Sequence, residues 1–151
     1  MKWIILAWGF GTRLHPTTKA VNKHLLPVYD KPMIYYPLET LIESGVDKIA
    51  IVTNPANIAN FVSLLGSGEE FREKFWKPIQ IVYIIQNYPS GIADGLWMAK
   101  DYIGNESCVL MLWDNVFENS EEIKKEILSF KSGATIFVKE VSDPHRFWIA
   151  E

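Results

Sequence analysis

The chain has 151 residues, of which 48% are hydrophobic and 22% charged, and its formal net charge at pH 7 is -3. This length and composition predict one globular domain over residues 1–151 with a substantial core, and they exclude a disordered chain. The slightly acidic balance argues against nucleic acid as a partner, because general nucleic-acid binders carry a basic excess.

The cysteine content and the hydropathy pattern bear on where the protein works. A single cysteine, Cys108, excludes an internal disulfide and indicates a reducing compartment. No apolar stretch approaches the roughly 20 residues that a transmembrane helix needs, and the first residues do not resemble a secretion signal. We therefore expect a cytoplasmic protein with no membrane partner.

Strand and helix patterns alternate along the chain. Apolar and β-branched runs predict strands at residues 4–7, 48–53, 79–85, 107–112 and 134–138. Four predicted helices lie between and after them: one opens at Asp30-Lys31-Pro32 and is closed by Gly45, one is capped by Asn57 and closed by Gly66, one covers residues 92–103, and one follows a capping box of Asn119 and Glu122. The alternation predicts an α/β fold with a doubly wound, Rossmann-like, mainly parallel sheet. Ligands of such folds bind beyond the carboxyl ends of the strands.

A glycine-containing turn follows the first predicted strand. Gly9 and Gly11 allow a tight loop whose N–H groups converge on a phosphate, and Thr12 and Arg13 add a hydroxyl and a positive charge. Neither common nucleotide motif fits, because Leu14 stands where the dinucleotide fingerprint needs a third glycine and no Gly-Lys-Ser/Thr sequence follows. Taken alone, the two glycines are equally compatible with a plain turn.

Residues 11–27 form a long basic loop with few apolar residues and no clear period. It carries Arg13, His15, Lys19, Lys23 and His24. A loop of this length after a first strand is uncommon and usually functional, although a solvated charged loop is the simpler alternative. In a chain whose net charge is negative, a local basic loop suits a small anionic ligand.

Two polar residues follow other predicted strands. Asp114 comes directly after the strand at residues 107–112 and could hold Mg²⁺, since carboxylates suit that hard cation, or could serve as a turn former or helix cap. Gln86 follows the strand at residues 79–85 and has a donor and an acceptor suited to a base edge, or it is a solvated loop residue.

Together these residues are suited to attack of a phosphate on the α-phosphate of a nucleotide. Arg13 would neutralise the leaving pyrophosphate, Lys23 the α-phosphate, and Mg²⁺ on Asp114 would bridge the oxygens. The chemistry needs positioning and charge neutralisation, and no general base is required when the nucleophile is already an oxyanion.

Three segments carry a resemblance to a known family. Residues 9–14 (Gly-Phe-Gly-Thr-Arg-Leu), residues 23–38 (Lys-His-Leu-Leu-Pro-Val-Tyr-Asp-Lys-Pro-Met-Ile-Tyr-Tyr-Pro-Leu) and Asp114-Asn115 resemble the sugar-phosphate nucleotidyltransferases. The resemblance extends over the whole chain and favours the members that transfer a thymidylyl group to glucose 1-phosphate. It implies an enzyme of the nucleotidyltransferase fold that forms dTDP-glucose and pyrophosphate from dTTP and glucose 1-phosphate, with Mg²⁺ as cofactor.

The resemblance also implies roles for individual residues. Arg13 and Lys23 match the catalytic basic residues, and Asp114 matches a metal ligand. The positions that correspond to the nucleotide cradle are Ala7, Trp8, Gly9, Gly11 and Thr12. Those that correspond to contacts with the base are Gln86 and Gly91.

This chain departs from the family pattern in two ways. The family has glycine where this chain has Trp8 and Trp113, and usually also at Trp3 and Trp148. At Trp8 we expect backbone strain of about 1–2 kcal/mol in the left-handed region, and we expect the indoles to crowd the phosphate pocket.

Members of the family are also considerably longer. The fold is therefore expected in truncated form, as the N-terminal part, and its exposed sheet edge predicts a homo-oligomer. Two alternative functions are transfer from UTP or GTP to another sugar 1-phosphate and a non-catalytic nucleotide-binding or assembly module of the same fold.

Overall fold

A computed structural model describes residues 1–9, 11–143 and 145 of the chain. In chain order the elements are β1 (Lys2–Ala7), β2 (Pro27–Val28), β3 (Lys31–Pro32), α1 (Tyr35–Glu43), β4 (Lys48–Thr53), α2 (Ile58–Leu65), α3 (Glu69–Phe75), β5 (Gln80–Ile85), α4 (Ile92–Met98), α5 (Lys100–Ile103), β6 (Cys108–Leu112) and α6 (Ser120–Ser129). Trp148, a position where the family usually has glycine, lies outside the described residues, and so does Phe10 of the glycine-containing loop.

The main sheet has four strands in the order β5-β4-β1-β6, and every pair is parallel. β1 lies between β4 and β6, so that Ile5 pairs with Ile51 on one side and with Met111 on the other. Each crossover between neighbouring strands of a parallel sheet needs a connecting segment, which here carries helices. The predicted doubly wound, mainly parallel α/β sheet is confirmed.

The side chains of β1 alternate between two apolar layers. Trp3, Ile5 and Ala7 pack on one face with buried residues of α1, α2 and α3. Ile4 and Leu6 pack on the other face with Ala99 and with residues of α4 and α5. Because side chains alternate along a strand, an uninterrupted apolar run is what a strand with helices on both faces requires.

The region before α1 differs from the prediction. The prediction of a helix that opens at Asp30-Lys31-Pro32 is wrong. Val28 and Lys31 instead pair in an antiparallel hairpin that β2 and β3 form with a two-residue turn. Tyr29 turns the hairpin with a φ of 61°. The backbone continues this pairing when Met33 N–H donates to the carbonyl of Leu26 at 3.0 Å, so the helix begins only at Tyr35.

The other helices agree with the prediction in part. Asn119 accepts a hydrogen bond from the backbone N–H of Glu121 and caps α6, as expected. Asn57 stands at the N-cap of α2, but its side chain makes no capping hydrogen bond. The backbone N–H of Asn57 donates to the side chain of Asn54. The helix predicted at residues 92–103 is divided at Ala99 into α4 and α5, and α3 was not predicted at all.

A strand at residues 134–138 is wrong. The structure assigns no helix or strand there, and Ile136 and Val138 are 71% and 72% exposed. β-branched residues favour a strand only where a neighbouring strand pairs with it, and none of the described residues pairs with this segment. Within the described part of the chain, no helix is both long and apolar enough to span a bilayer.

Ile5 tests how far the fold depends on β1. Replacing this fully buried residue by alanine is expected to lower the free energy of unfolding by about 2–5 kcal/mol, because it deletes buried methyl groups and leaves a cavity. Urea denaturation followed by circular dichroism measures the change. Leu128→Ala is the control, since Leu128 is 73% exposed on α6 and its truncation should stay within about 0.5 kcal/mol. Equal effects of the two changes would contradict this account of the core.

Candidate active site

A cleft of about 290 Å³ opens beyond the carboxyl ends of β1, β5 and β6. This is the edge at which ligands of open α/β sheets bind. The residues that line it come from these strand ends and from the start of α4, namely Leu6, Trp8, Gln86, Pro89, Gly91, Ile92, Leu112, Trp113 and Asp114.

The glycine-containing loop is shaped by the side chain of Lys23. Gly9 and Gly11 both have positive φ, 133° and 64°. A Cβ on Gly9 would lie 3.0 Å from Nζ of Lys23, and one on Gly11 would lie 2.9 Å from its Cδ and 3.0 Å from the Thr18 methyl carbon. Glycine is favoured at both positions by the positive φ, and at Gly11 the Lys23 stem and the Thr18 methyl group also leave no room for a Cβ.

Lys23 is held in a partly buried and electrically mixed environment. Burial lowers the pKa of its ammonium group, the charge of Asp114 opposes that change, and the charge of Arg13 adds to it. The charges of both Arg13 and Asp114 therefore reach Lys23, although Asp114 is far from it in the sequence. A cationic group beside the glycine-containing loop is suited to binding an oxyanion.

The other loop residues have more local roles. Arg13 and Thr12 lie in a single 3₁₀ turn, Thr12–Leu14, and both are exposed. The carbonyl of Gly11 accepts a hydrogen bond from Oγ1 of Thr18 at 2.6 Å, which ties the loop back on itself. The carbonyl of Ala7 accepts from Oγ1 of Thr53 at 3.0 Å, and Ala7 is buried in the sheet. Of the predicted site residues, six are not among those that line the cleft, namely Ala7, Gly9, Gly11, Thr12, Arg13 and Lys23.

His24 is part of the core and not of the basic loop surface. It is fully buried, and its ring lies 4.4 Å from the Trp113 ring and 5.6 Å from the Phe61 ring, measured between centroids. Burial and the neighbouring Lys23 charge lower its pKa to about 3, against the opposing effect of the Trp8 backbone. His24 is therefore neutral at physiological pH, which corrects the sequence-based view that it adds to the positive charge of the loop.

The two tryptophans at the strand ends occupy the cleft walls. Trp8 donates from Nε1 to the carbonyl of Gln86 at 2.9 Å. The Trp113 ring lies beneath the Lys23 ammonium group, 4.2 Å from Nζ to the ring centroid, and packs edge-on with His24. The expected backbone strain at Trp8 is wrong, because the only described non-glycine residues with positive φ are Tyr29 and Trp76. Trp3 is buried in the core.

Gln86 and Gly91 line the part of the cleft between the end of β5 and the start of α4. Gln86 is 4% exposed, and its Nε2 donates to Oδ2 of Asp94 at 2.6 Å. Gly91 stands at the start of α4 with a φ of 97°. Sequence reasoning missed Asp94, although a carboxylate in the first turn of the helix after Gln86 was a usable signal.

Asp114 is the acidic residue of the cleft. It is exposed beyond β6, next to Asn115, whose side chain accepts a hydrogen bond from the Leu112 N–H at 3.2 Å and closes the turn. Within the described residues, no group of three or more histidine, cysteine or acidic side chains could hold a metal ion. Asp114 alone offers one carboxylate, and Mg²⁺ sites in proteins often combine one or two carboxylates with substrate phosphates.

The fold brings four of the predicted site residues into one cleft, and Lys23 lies beside two others. Trp8, Gln86, Gly91 and Asp114 line the cleft. Lys23 packs on Gly9 and Gly11, and the charges of Arg13 and Asp114 act on the pKa of its ammonium group.

Comparison with known proteins places this arrangement in a family. The family model described as Nucleotidyl transferase matches residues 2–151. Proteins named glucose-1-phosphate thymidylyltransferase from Neisseria meningitidis and Mycobacterium tuberculosis are 43% and 39% identical to the chain over 153 aligned positions, which cover 100% of this chain and 51% of each relative. The chain therefore spans about half the length of these curated relatives.

A solved structure agrees with the sequence comparisons. The crystal structure of a Bacillus anthracis protein assigned as a glucose-1-phosphate thymidylyltransferase, in complex with sucrose, has a TM-score of 0.76 and 40% sequence identity, covering 85% of this chain and 50% of that one. With its parallel sheet, its strand-end cleft and a family match over almost its whole length, this chain belongs to the nucleotidyl transferase family.

Proposed function

We propose that the chain binds dTTP in the strand-end cleft and takes part in nucleotidyl transfer to glucose 1-phosphate. The observation that carries the proposal is the packing of the Lys23 side chain against the backbone of Gly9 and Gly11, where the charges of Arg13 and Asp114 also act on the pKa of its ammonium group. The names of the relatives support the thymidylyl group and the sugar phosphate.

In the proposed reaction, a phosphate oxygen of glucose 1-phosphate attacks the α-phosphorus of dTTP. A new P–O bond forms to give dTDP-glucose, the bond between the α-phosphorus and the bridging oxygen breaks, and pyrophosphate leaves with the electron pair. Lys23 would bind the α-phosphate and Arg13 the leaving pyrophosphate, so both cations would stabilise charge that develops in the transition state.

Asp114 is the residue that would hold a divalent cation, which we propose to be Mg²⁺. When bound, the cation would add positive charge at the phosphate oxygens. The roles of this chain's own residues are to orient the triphosphate on the backbone of Gly9 and Gly11 and to hold Arg13 and Lys23 against it.

The base would bind in the part of the cleft between the end of β5 and the start of α4. Gln86 and Gly91 lie there, together with the apolar side chains of Pro89 and Ile92. Apolar surfaces with a few placed polar groups are typical of small-molecule sites. Thr12 and the backbone at Ala7 and Trp8 are proposed to complete the nucleotide cradle. We also propose that the chain is cytoplasmic and forms a homo-oligomer.

A second candidate function is nucleotide binding or assembly without catalysis. The position of Trp113 favours it, because its ring lies against the ammonium group of Lys23 and competes with a phosphate for the same cation. A third candidate, transfer from UTP or GTP, is separated from the first by comparing the affinities for the three nucleotides.

The role of Lys23 can be tested by nucleotide binding. Lys23→Met keeps the aliphatic packing on Gly9 and Gly11 but removes the charge, so affinity for Mg²⁺–dTTP is expected to fall about tenfold or more, as a contact to a charged group contributes about 1.5–3 kcal/mol. Titration calorimetry, with competition by dTDP-glucose, measures the change. Lys19→Met is the matched control, since Lys19 is an exposed lysine of the same loop. Unchanged affinity in Lys23→Met would overturn the proposed phosphate contact.

The tryptophans can be tested in the opposite direction. The double change Trp8→Gly and Trp113→Gly is expected to tighten Mg²⁺–dTTP binding by more than about tenfold, or about 1.4 kcal/mol, because it opens the cleft and frees Lys23 from the indole ring. The same titration, followed by an assay of pyrophosphate release, measures binding and turnover. Trp97→Ala is the control, because Trp97 is 61% exposed on α4 and does not line the cleft. An unchanged affinity in the double variant would mean that the indoles do not obstruct the nucleotide.

A further inference from the structure

Gln86 and Asp94 form a hydrogen-bonded pair behind the cleft. Gln86 is 4% exposed, and its Nε2 donates to Oδ2 of Asp94 at 2.6 Å across eight residues of sequence. The backbone of Gln86 is fixed as well, since its N–H donates to the Thr53 carbonyl at 2.8 Å and its carbonyl accepts from Nε1 of Trp8. The side-chain amide is thus held at a defined place in the wall of the cleft.

The carboxylate of Asp94 decides which way the Gln86 amide faces. An ionised carboxylate only accepts hydrogen bonds, so the NH₂ group of Gln86 must point to it, and the reversed amide would set oxygen against oxygen. A hydrogen bond to a charged acceptor is about twice as strong as one between neutral groups, which makes the reversed amide rare. Asp94 therefore acts as a lock on the orientation of Gln86.

The locked amide leaves its oxygen for another partner. Asp94 engages only the Nε2 group of Gln86, and an ionised carboxylate has no proton to donate to Oε1. Gln86 lines the cleft, and a Cβ on Gly95 would lie at an ordinary contact distance of 3.4 Å from its Oε1. The cleft wall therefore offers an acceptor, with the second proton of Nε2 as a neighbouring donor.

We propose that Asp94 is a positioning residue that fixes the Gln86 amide so that the cleft selects a base with an imide N–H over a base with a ring acceptor at that position. Uracil and thymine present an N–H between two carbonyl groups, which matches an acceptor beside a donor. Cytosine presents a ring nitrogen acceptor beside an amino group, and it matches the amide only in the reversed orientation that Asp94 disfavours. This inference rests on the proposed binding of a nucleotide in the cleft.

The matched ligands for the test are dUTP and dCTP. They share the same sugar and triphosphate, so a difference in affinity reports the edge of the base. The chain is expected to bind Mg²⁺–dUTP about tenfold or more tightly than Mg²⁺–dCTP, because the wrong base leaves a buried polar group unpaired. Titration calorimetry on the full chain measures both affinities.

Asp94→Asn is the decisive variant. An asparagine of the same shape can accept from Nε2 or donate to Oε1, so both orientations of Gln86 become accessible and the preference for dUTP is expected to fall to about threefold or less. Asp101→Asn is the matched control, because it removes the same charge from an exposed residue of α5 outside the cleft and should keep the wild-type ratio.

A second readout examines the amide without any nucleotide. In the wild type, one side-chain amide proton of Gln86 is expected to show a downfield-shifted, slowly exchanging NMR signal, which Asp94→Asn loses and Asp101→Asn keeps. An unshifted, rapidly exchanging signal in the wild type would overturn the lock.

The outcomes separate the inference from the function on which it rests. A wild type that prefers dUTP, with the same preference in Asp94→Asn, would overturn the role of Asp94 and leave nucleotide binding intact. A folded wild type that shows the shifted amide signal but binds neither dUTP, dTTP nor dCTP would overturn the proposed function, and base selection with it. Loss of preference in Asp94→Asn together with loss of the amide signal supports the inference.

Discussion

The structure depends on the burial of β1 on both faces and its pairing on both sides. Ile5 lies between Ile51 and Met111 in the sheet, and its neighbours alternate between two helical layers. A shift by one residue would exchange the two faces, so that Trp3, Ile5 and Ala7 would have to pack in the layer that now holds Ile4 and Leu6. The chain therefore leaves the sheet at a fixed point, and the turn at Gly9 begins where the carboxyl ends of β4 and β6 lie alongside.

The side chains around the cleft contact one another. Lys23 lies over the Trp113 ring, Trp8 donates to the backbone of Gln86, and the Gln86 amide donates to Asp94. Burying polar groups without partners is costly, and here Nε1 of Trp8 and Nε2 of Gln86 each donate to an acceptor of the same chain. A ligand that binds here has to replace the contact between Lys23 and Trp113 by a better one, which is what a phosphate oxyanion offers.

The comparison between sequence and structure is uneven along the chain. The strands and most helices could be predicted because their apolar residues recur with the period of the element. The hairpin of β2 and β3 could not, because Asp30-Lys31-Pro32 is as good a helix start as it is a hairpin. Residues 134–138 mislead for a related reason, since the strand preference of Ile136 and Val138 has no effect without a strand to pair with.

By itself the sequence determined the α/β class, the glycine-containing loop, the family resemblance and the candidate residues Lys23, Arg13 and Asp114, because these follow from local period and from motifs that are contiguous. Only the tertiary structure decided which of them meet. It made His24 a neutral core residue through burial, put the Trp113 ring against Lys23, and joined Asp94 to Gln86. The burial of His24 and the contact of Trp113 with Lys23 depend on the packing of side chains from separate elements, which no local sequence signal encodes. Asp94 gave a local signal, but only the fold shows that its carboxylate meets the Gln86 amide.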